Sequence, residues 1–246
     1  MGLLEIALII VGVLIFLVGI GAGITSIWLV VKYYRFNRRE NSLGLSGMEV
    51  ARRILDDNGL SHIKVKRTGS LFFGNSYSHY FRKVRLRSFI RYEASITSMG
   101  MGAQKAALAI LDKEGDPDMK RRIRLVPLMT FGPFAFIPLI VVGALLDLFV
   151  FGGAGVCTLG LGILGFLFYV YSIVLSVLTL KTEKKAQERA YDILREQYSV
   201  SDEELSMLKE LFHLYNIQYV NDIVLSSLEL IYTVLEIAIE IKKAQD

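Results

Sequence analysis

Three apolar runs divide the chain: Leu3–Val31, Leu125–Leu146 and Ala154–Leu180. The first carries one charge, Glu5, near its start. It exceeds the roughly 7–15-residue core of a signal peptide and has no basic stretch ahead of it. It therefore predicts an uncleaved transmembrane helix, tilted or extending past the lipid. Gly19, Gly21 and Gly23 suit either close helix packing or plain flexibility in an anchor. The second run contains Pro127, Pro133 and Pro138, which predict kinks. Asp147–Gly153 reads as a short outer turn, so the second and third runs form a helical hairpin.

Between the first two runs the periodicity shortens and varies. Ser46-Gly47-Met48-Glu49 is a capping box opening a helix over Met48–Asn58. That helix buries Val50, Ile54 and Leu55, and Gly59 stops it. Ile63–Lys66 and Lys83–Arg87 alternate as strands. Thr68–Ser78, rich in Gly, Ser and Asn, reads as a loop. Ala94–Gly115 is a helix of small residues, ended by Gly115-Asp116-Pro117. Its Ala, Ser and Gly positions allow another backbone to come close. Gly100 and Gly102 inside it read as packing positions rather than a phosphate loop.

After the third run, Thr182–Gln197 predicts a polar helix and Asp202–Tyr215 a second one, N-capped by Ser201. Gln218–Lys243 is apolar except for one stripe. At 100° per residue, Gln218, Asp222, Ser226, Glu229, Thr233, Glu236 and Glu240 share an arc of about 80°. Central Glu229 and Glu236 offset the insertion free energy of its aliphatic residues. This helix is expected not to span lipid alone. It should pack its apolar arc on protein or on the membrane face, with the acidic stripe toward water or the basic segment.

The organisation is thus residues 1–31 as a transmembrane helix, 32–124 as a polar α/β domain containing the helix 94–115, 125–180 as a transmembrane hairpin, and 181–246 as a helical region. The fold class is mainly α: a multi-pass helical membrane protein with a small α/β domain. Composition agrees, with 53% hydrophobic residues and charges confined to blocks. Residues 32–124 hold 20 Lys or Arg against 9 Asp or Glu, and residues 181–246 hold 8 against 13. Basic residues follow the first run (Lys32, Arg35, Arg38, Arg39), precede the second (Lys120, Arg121, Arg122, Arg124) and follow the third (Lys181, Lys184, Lys185). Positive-inside logic puts the N-terminus outside and the polar domain in the cytoplasm. No nucleic-acid motif accompanies the charge, so the expected partner is the lipid bilayer, with its anionic lipids facing the basic surface.

The single cysteine, Cys157, excludes a disulfide framework or a Cys/His zinc cluster and reads as a packing residue. No Gly-x-Ser-x-Gly or P-loop occurs. His62, His79 and His213 form no spaced pair. His62 and His213 read as surface or interface residues. His79 meeting Glu183 in space is the one way left to rebuild a ligand cluster.

Leu45–Leu60 (LSGMEVARRILDDNGL) resembles the opening motif of the bacterial membrane neutral zinc metallopeptidases, the YugP-like family. His79-Tyr80 followed by Val84 and Leu86 is similar to that family's His-Tyr turn and Val-x-Leu strand. Asp112-x-Glu114-Gly115 and Leu125-Val126-Pro127 resemble the tail of its metal-binding helix and the start of its second span. Glu183, with Ala186, Arg189 and Ala190, is similar to its third-ligand motif. The resemblance runs from about residue 3 to 195, and implies a zincin-like cytoplasmic domain in a bacterial cell membrane.

It also implies a departure at the centre. The family carries His-Glu-x-x-His where this chain has Gln104-Lys105-Ala106-Ala107-Leu108. A zincin needs two neutral imidazoles one turn apart, a third ligand, and a Glu that takes the proton of the metal-bound water. Leu108 has no lone pair, Gln104 is a weak ligand, and a lysine at position 105 keeps its proton at pH 7 and repels zinc. Only Glu183 retains a ligand type. The expected catalytic residues and metal ligands are therefore none, with Lys105 at the vestigial base position and Gln104, Leu108 and Glu183 at vestigial ligand positions. No cofactor is expected, or zinc if the family activity is kept. The expected function is a noncatalytic binding or scaffold protein that holds peptide segments or another membrane protein. The alternative is an active membrane zinc metallopeptidase with non-standard ligands. A transporter-like bundle finds little support in the sparse intramembrane charges. The register further predicts that Glu183 lies within about 5 Å of Lys105 or Gln104, as a single polar contact.

Overall fold

The computed structural model describes residues 2–68, 74–129, 132–153 and 155–245. Among the described residues the chain is mainly helical, with one small sheet. Its elements are α1 (Leu3–Asn37), α2 (Gly47–Asp57), β1 (Lys64–Arg67), β2 (Ser76–Ser78), β3 (Lys83–Leu86), α3 (Ser88–Tyr92), α4 (Ile96–Glu114), α5 (Pro117–Met129), α6 (Gly132–Phe149), α7 (Val156–Glu196) and α8 (Asp202–Gln245).

Three expectations are corrected. The third apolar run and the polar helix after it are one 41-residue helix, α7. The last two predicted helices are likewise one 44-residue helix, α8. Neither junction holds a Gly or Pro, so nothing releases the backbone from its i→i−4 ladder. The expected loop Thr68–Ser78 contains β2, and its residues 69–73 lie outside the described residues. Among the described residues, α1 and α7 are long and apolar enough to cross a membrane. The second predicted run is divided between α5 and α6, with Thr130 and Phe131 outside the described residues, and its apolar helix Ile137–Phe149 is shorter. Pro133 stands in the first turn of α6, where its missing N–H costs nothing. Pro138 lies inside that helix.

The chain forms two compact units. The first comprises Met1–Ala22, Arg124–Thr179 and Val220–Asp246. In it the turn between α6 and α7 is fixed by buried Asp147, which accepts the N–H groups of Cys157 (3.0 Å) and Thr158 (2.7 Å) and the Thr158 hydroxyl (2.7 Å). A carboxylate there satisfies the orphan donors of a helix start. Gly143 lets the two helices touch, since an added Cβ would sit 2.7 Å from the Thr158 Cα. On α8, Glu229, Glu236 and Glu240 are exposed. The apolar arc is only partly covered, because Val224, Ile231, Val234 and Ile237 are exposed too.

The second unit comprises Gly23–Ile123 and Leu180–Tyr219. Helix α4 is its core, buried from Ile96 through Leu111. Ser95 caps its start by accepting from the Ser98 N–H at 3.0 Å, and Gly115 ends it at φ 74°. The small residues act as the sequence suggests: an added Cβ on Gly102 would strike the Gly47 carbonyl, so α2 and α4 meet backbone to backbone. The capping box of α2 is complete, with Glu49 accepting from the Ser46 N–H at 2.8 Å. Ile54, Leu55, Leu86, Ile90 and Met99 fill the core with Leu108, Leu194 and Leu208.

The sheet has the order β1-β3-β2, with β1 parallel and β2 antiparallel to β3. Val84 and Leu86 of β3 are buried. Lys83 and Arg85 alternate with them and take the other face. The segment between α1 and α2 is tied down at Ser42, whose N–H and hydroxyl bond the Glu204 carboxylate at 2.7 and 2.5 Å.

Candidate functional site

Gln104 and Lys105 sit in the middle of α4, both buried. Polar side chains at such positions need partners. They share one: Gln104 Nε2 donates to Glu183 Oε2 at 2.9 Å, and Lys105 Nζ lies 2.7 Å from the same oxygen. Glu183 is on α7, and only 16% of its side chain is exposed. The predicted approach of Glu183 to Gln104 and Lys105 is present. The expectation of a single contact is not. Arg122 on α5 places Nη2 3.1 Å from the other oxygen, Glu183 Oε1, and its Nη1 donates to the Thr182 hydroxyl at 3.2 Å. Each carboxylate oxygen thus faces a cation, and the charge is doubly compensated.

Burial pushes the Glu183 carboxyl up. The Lys105 and Arg122 charges and their hydrogen bonds outweigh it and hold the group below the ordinary value. Leu108, one turn beyond Gln104, is fully buried in the hydrophobic core.

Arg122 owes its place to the start of α5. Asp116 caps that helix, accepting from the N–H groups of Asp118 and Met119 at 2.9 Å each. Lys185 of α7 pairs with Asp116 at 2.7 Å and with Asp118 at 2.6 Å, and Lys181 reaches Asp118 at 3.1 Å. The two helices exchange charges in both directions: acids of α5 against lysines of α7, and Arg122 of α5 against Glu183 of α7. The sequence placed Arg122 only in the basic cluster before the second run. A signal was available in spacing, since Asp118 and Arg122 lie four apart, as do Lys181 and Lys185, and such pairs share a helix face.

The histidines are elsewhere. His79 Nδ1 lies 2.6 Å from Asp112 Oδ2, which also accepts from the Tyr77 hydroxyl at 2.6 Å. Burial and then Asp112 push the Tyr77 hydroxyl above its ordinary range. Asp112 is seven residues beyond Lys105 on α4, about 10 Å along the axis. His79 is therefore held by Asp112, not by Glu183. His62 and His213 are exposed. Among the described residues no group of three or more His, Cys, Asp or Glu is placed to hold a metal ion.

A profile of the family described as "Putative neutral zinc metallopeptidase" matches residues 8–238. The chain belongs to this family. It is also 26% identical over 200 residues to the "Putative membrane protease YugP" of Bacillus subtilis (strain 168), covering 81% of this chain and 84% of the relative. No solved structure matches the chain. The family identified from Leu45–Leu60 and its companion motifs is thus correct, and zinc is the metal its name implies.

The residues around Glu183 do not fit that metal. A zinc ion bound by Glu183 would meet the Lys105 ammonium and the Arg122 guanidinium, each already within 3.1 Å of a Glu183 oxygen. Neither cation has a lone pair to give. Leu108 offers none either, and Gln104 offers a neutral amide. What the arrangement does chemically is satisfy a buried carboxylate with fixed donors, which bridges α4, α5 and α7.

Proposed function

We propose that this chain is a noncatalytic, membrane-embedded member of the neutral zinc metallopeptidase family, in which a Glu183–Lys105–Arg122 ion cluster stands where a relative holds its metal. The observation that supports this reading is the pair of cations on the Glu183 carboxylate. Their charges oppose a divalent cation, and by holding the Glu183 carboxyl below its ordinary value they make it a weaker proton acceptor. The vestigial ligand positions are Gln104, Leu108 and Glu183, and the vestigial base position is Lys105. With catalysis gone, the role is binding or scaffolding, the partner being a peptide segment or another membrane protein.

The lipid bilayer is part of the reading. Helices α1 and α7 have the length and apolarity to cross a membrane, and the relative is a membrane protease by name. We assign a multi-pass protein of the bacterial cell membrane, its polar domain cytoplasmic, from the basic residues after α1.

Metal analysis with a proteolysis assay on detergent-purified protein tests the proposal. The expected result is no stoichiometric zinc and no chelator-sensitive cleavage of casein or of unfolded membrane substrates. One zinc per chain, or cleavage abolished by a chelator and by Glu183→Gln, would overturn it.

A further inference from the structure

We propose that the outward face of the three-stranded sheet binds the phosphate-bearing headgroups of anionic lipid. The register puts Lys64 beside Lys83 and Lys66 beside Arg85 on adjacent parallel strands. All four lie on the face opposite buried Val84 and Leu86. Ser76 pairs with Arg85 and Ser78 with Lys83, so the face holds four cations flanked by two hydroxyl residues. Strand spacing of about 4.8 Å and a two-residue step of about 6.7 Å set the cations close together at the backbone. Like charges directly opposite one another destabilise a sheet. Among the described residues, none of the four has an ion-pairing carboxylate. Partial desolvation, then Arg85 and Lys66, push the Lys83 ammonium below its ordinary value. A face built this way is complemented by an anion from outside the chain.

Phe81 identifies which anion. It is 68% exposed, with Lys83 Nζ 4.4 Å and Arg85 Cζ 5.9 Å from its ring centroid. An apolar ring among cations matches a headgroup layer, where phosphates meet the cations and the ring reaches toward the acyl boundary. A nucleobase stacking on the ring would compete for it with Lys83 and Arg85. Nothing in this patch is used by the Glu183 cluster. The proposal rests on the membrane reading above, not on the state of the metal site.

The test uses the full chain in lipid nanodiscs, with Cys157→Ala and a bimane label on Ser76→Cys. Quenching by a headgroup nitroxide lipid is compared in pure phosphatidylcholine and with about a third phosphatidylglycerol. Quenching is expected to roughly double with the anionic lipid and to fall back in about 0.5 M salt. The variant Lys64→Ser, Lys66→Ser, Lys83→Ser, Arg85→Ser should lose the response, and the salt arm gives the same test without altering the face. Equal quenching in both lipids would overturn the proposal alone. Binding of a single-stranded RNA that needs the four cations, without lipid-dependent quenching, would overturn it in favour of nucleic acid. Protein that fails to enter nanodiscs would overturn the membrane reading and this proposal with it.

Discussion

Lys105 Nζ lies 2.7 Å from Glu183 Oε2, across the gap between α4 and α7 and 78 residues apart in sequence. Removing one partner of a buried pair leaves the other charged and unsatisfied, at about 3–5 kcal/mol. Glu183→Leu strands both Lys105 and Arg122, so it should cost at least the lower end of that range. Lys105→Met leaves Glu183 with Arg122 and Gln104 and should cost less. Denaturant unfolding in detergent, run as a double-mutant cycle, should return a coupling energy of about 1–3 kcal/mol. Additive effects would mean that the contact contributes nothing.

Acid should loosen the same region. Glu183, Asp116 and Asp118 are all held below their ordinary values of 4.5, 3.8 and 3.8. For Asp116 burial acts the other way, but Lys185 and two backbone donors prevail. For Asp118 the lysine hydrogen bonds are the main cause. A depressed carboxylate contributes stability that is complete above its unfolded value and is lost as pH falls through its folded value. Stability should therefore be flat from pH 7 down to the ordinary carboxylate range and fall steeply below it. Lys185 is raised, by Asp116 first and Asp118 next. Its share is complete below the ordinary 10.5 and fades only as pH rises through the higher folded value. Unfolding midpoints across pH check both arms. A midpoint unchanged through acid would contradict the paired geometry.

The two glycines of α4 should respond differently. An added Cβ on Gly102 meets the Gly47 carbonyl, which is backbone and cannot turn aside. Gly102→Ala should cost about 1–3 kcal/mol by forcing α2 from α4. An added Cβ on Gly100 meets the Leu208 side chain, which can change rotamer. Gly100→Ala should cost less, and the order of the two unfolding midpoints is the readout. Equal costs would show that α2 moves as freely as a leucine.

Much of this architecture was legible because it rests on local rules. Ser46 and Glu49 announce their capping box, Gly115 its left-handed stop, and Gly100 and Gly102 their close packing. Helix lengths were less legible. The polarity change at Lys181 suggests an end to the apolar run, yet polarity alone does not break a helix, and no Gly or Pro stands there. Strand β2 was hidden because Ser76-Tyr77-Ser78 has the composition of a loop. Its pairing to β3 supplies the ladder that its own residues do not predict. At the site, Gln104, Lys105 and Glu183 could be aligned by motif register. Arg122 could not, since it belongs to no motif. Its spacing from Asp118 matches that of Lys181 from Lys185, but that these two faces meet is tertiary information.

Arg122 changes what a rebuilt metal site requires. Gln104→His, Lys105→Glu and Leu108→His together restore two imidazoles at the i, i+4 spacing and a carboxylate between them. Glu183 would be the third ligand, but its Oε1 remains 3.1 Å from the Arg122 guanidinium. The guanidinium is a donor with no lone pair for a metal. It competes with zinc for the same oxygen and repels the ion as well. The triple variant should therefore bind zinc weakly, and adding Arg122→Gln should tighten it by at least about tenfold, the scale that second-shell changes reach at metal sites. Isothermal titration with zinc, run beside a Glu183→Gln control that should abolish the gain, decides the matter. Equal affinity with and without Arg122 would mean that the guanidinium swings clear of Glu183 and takes no part in barring the metal.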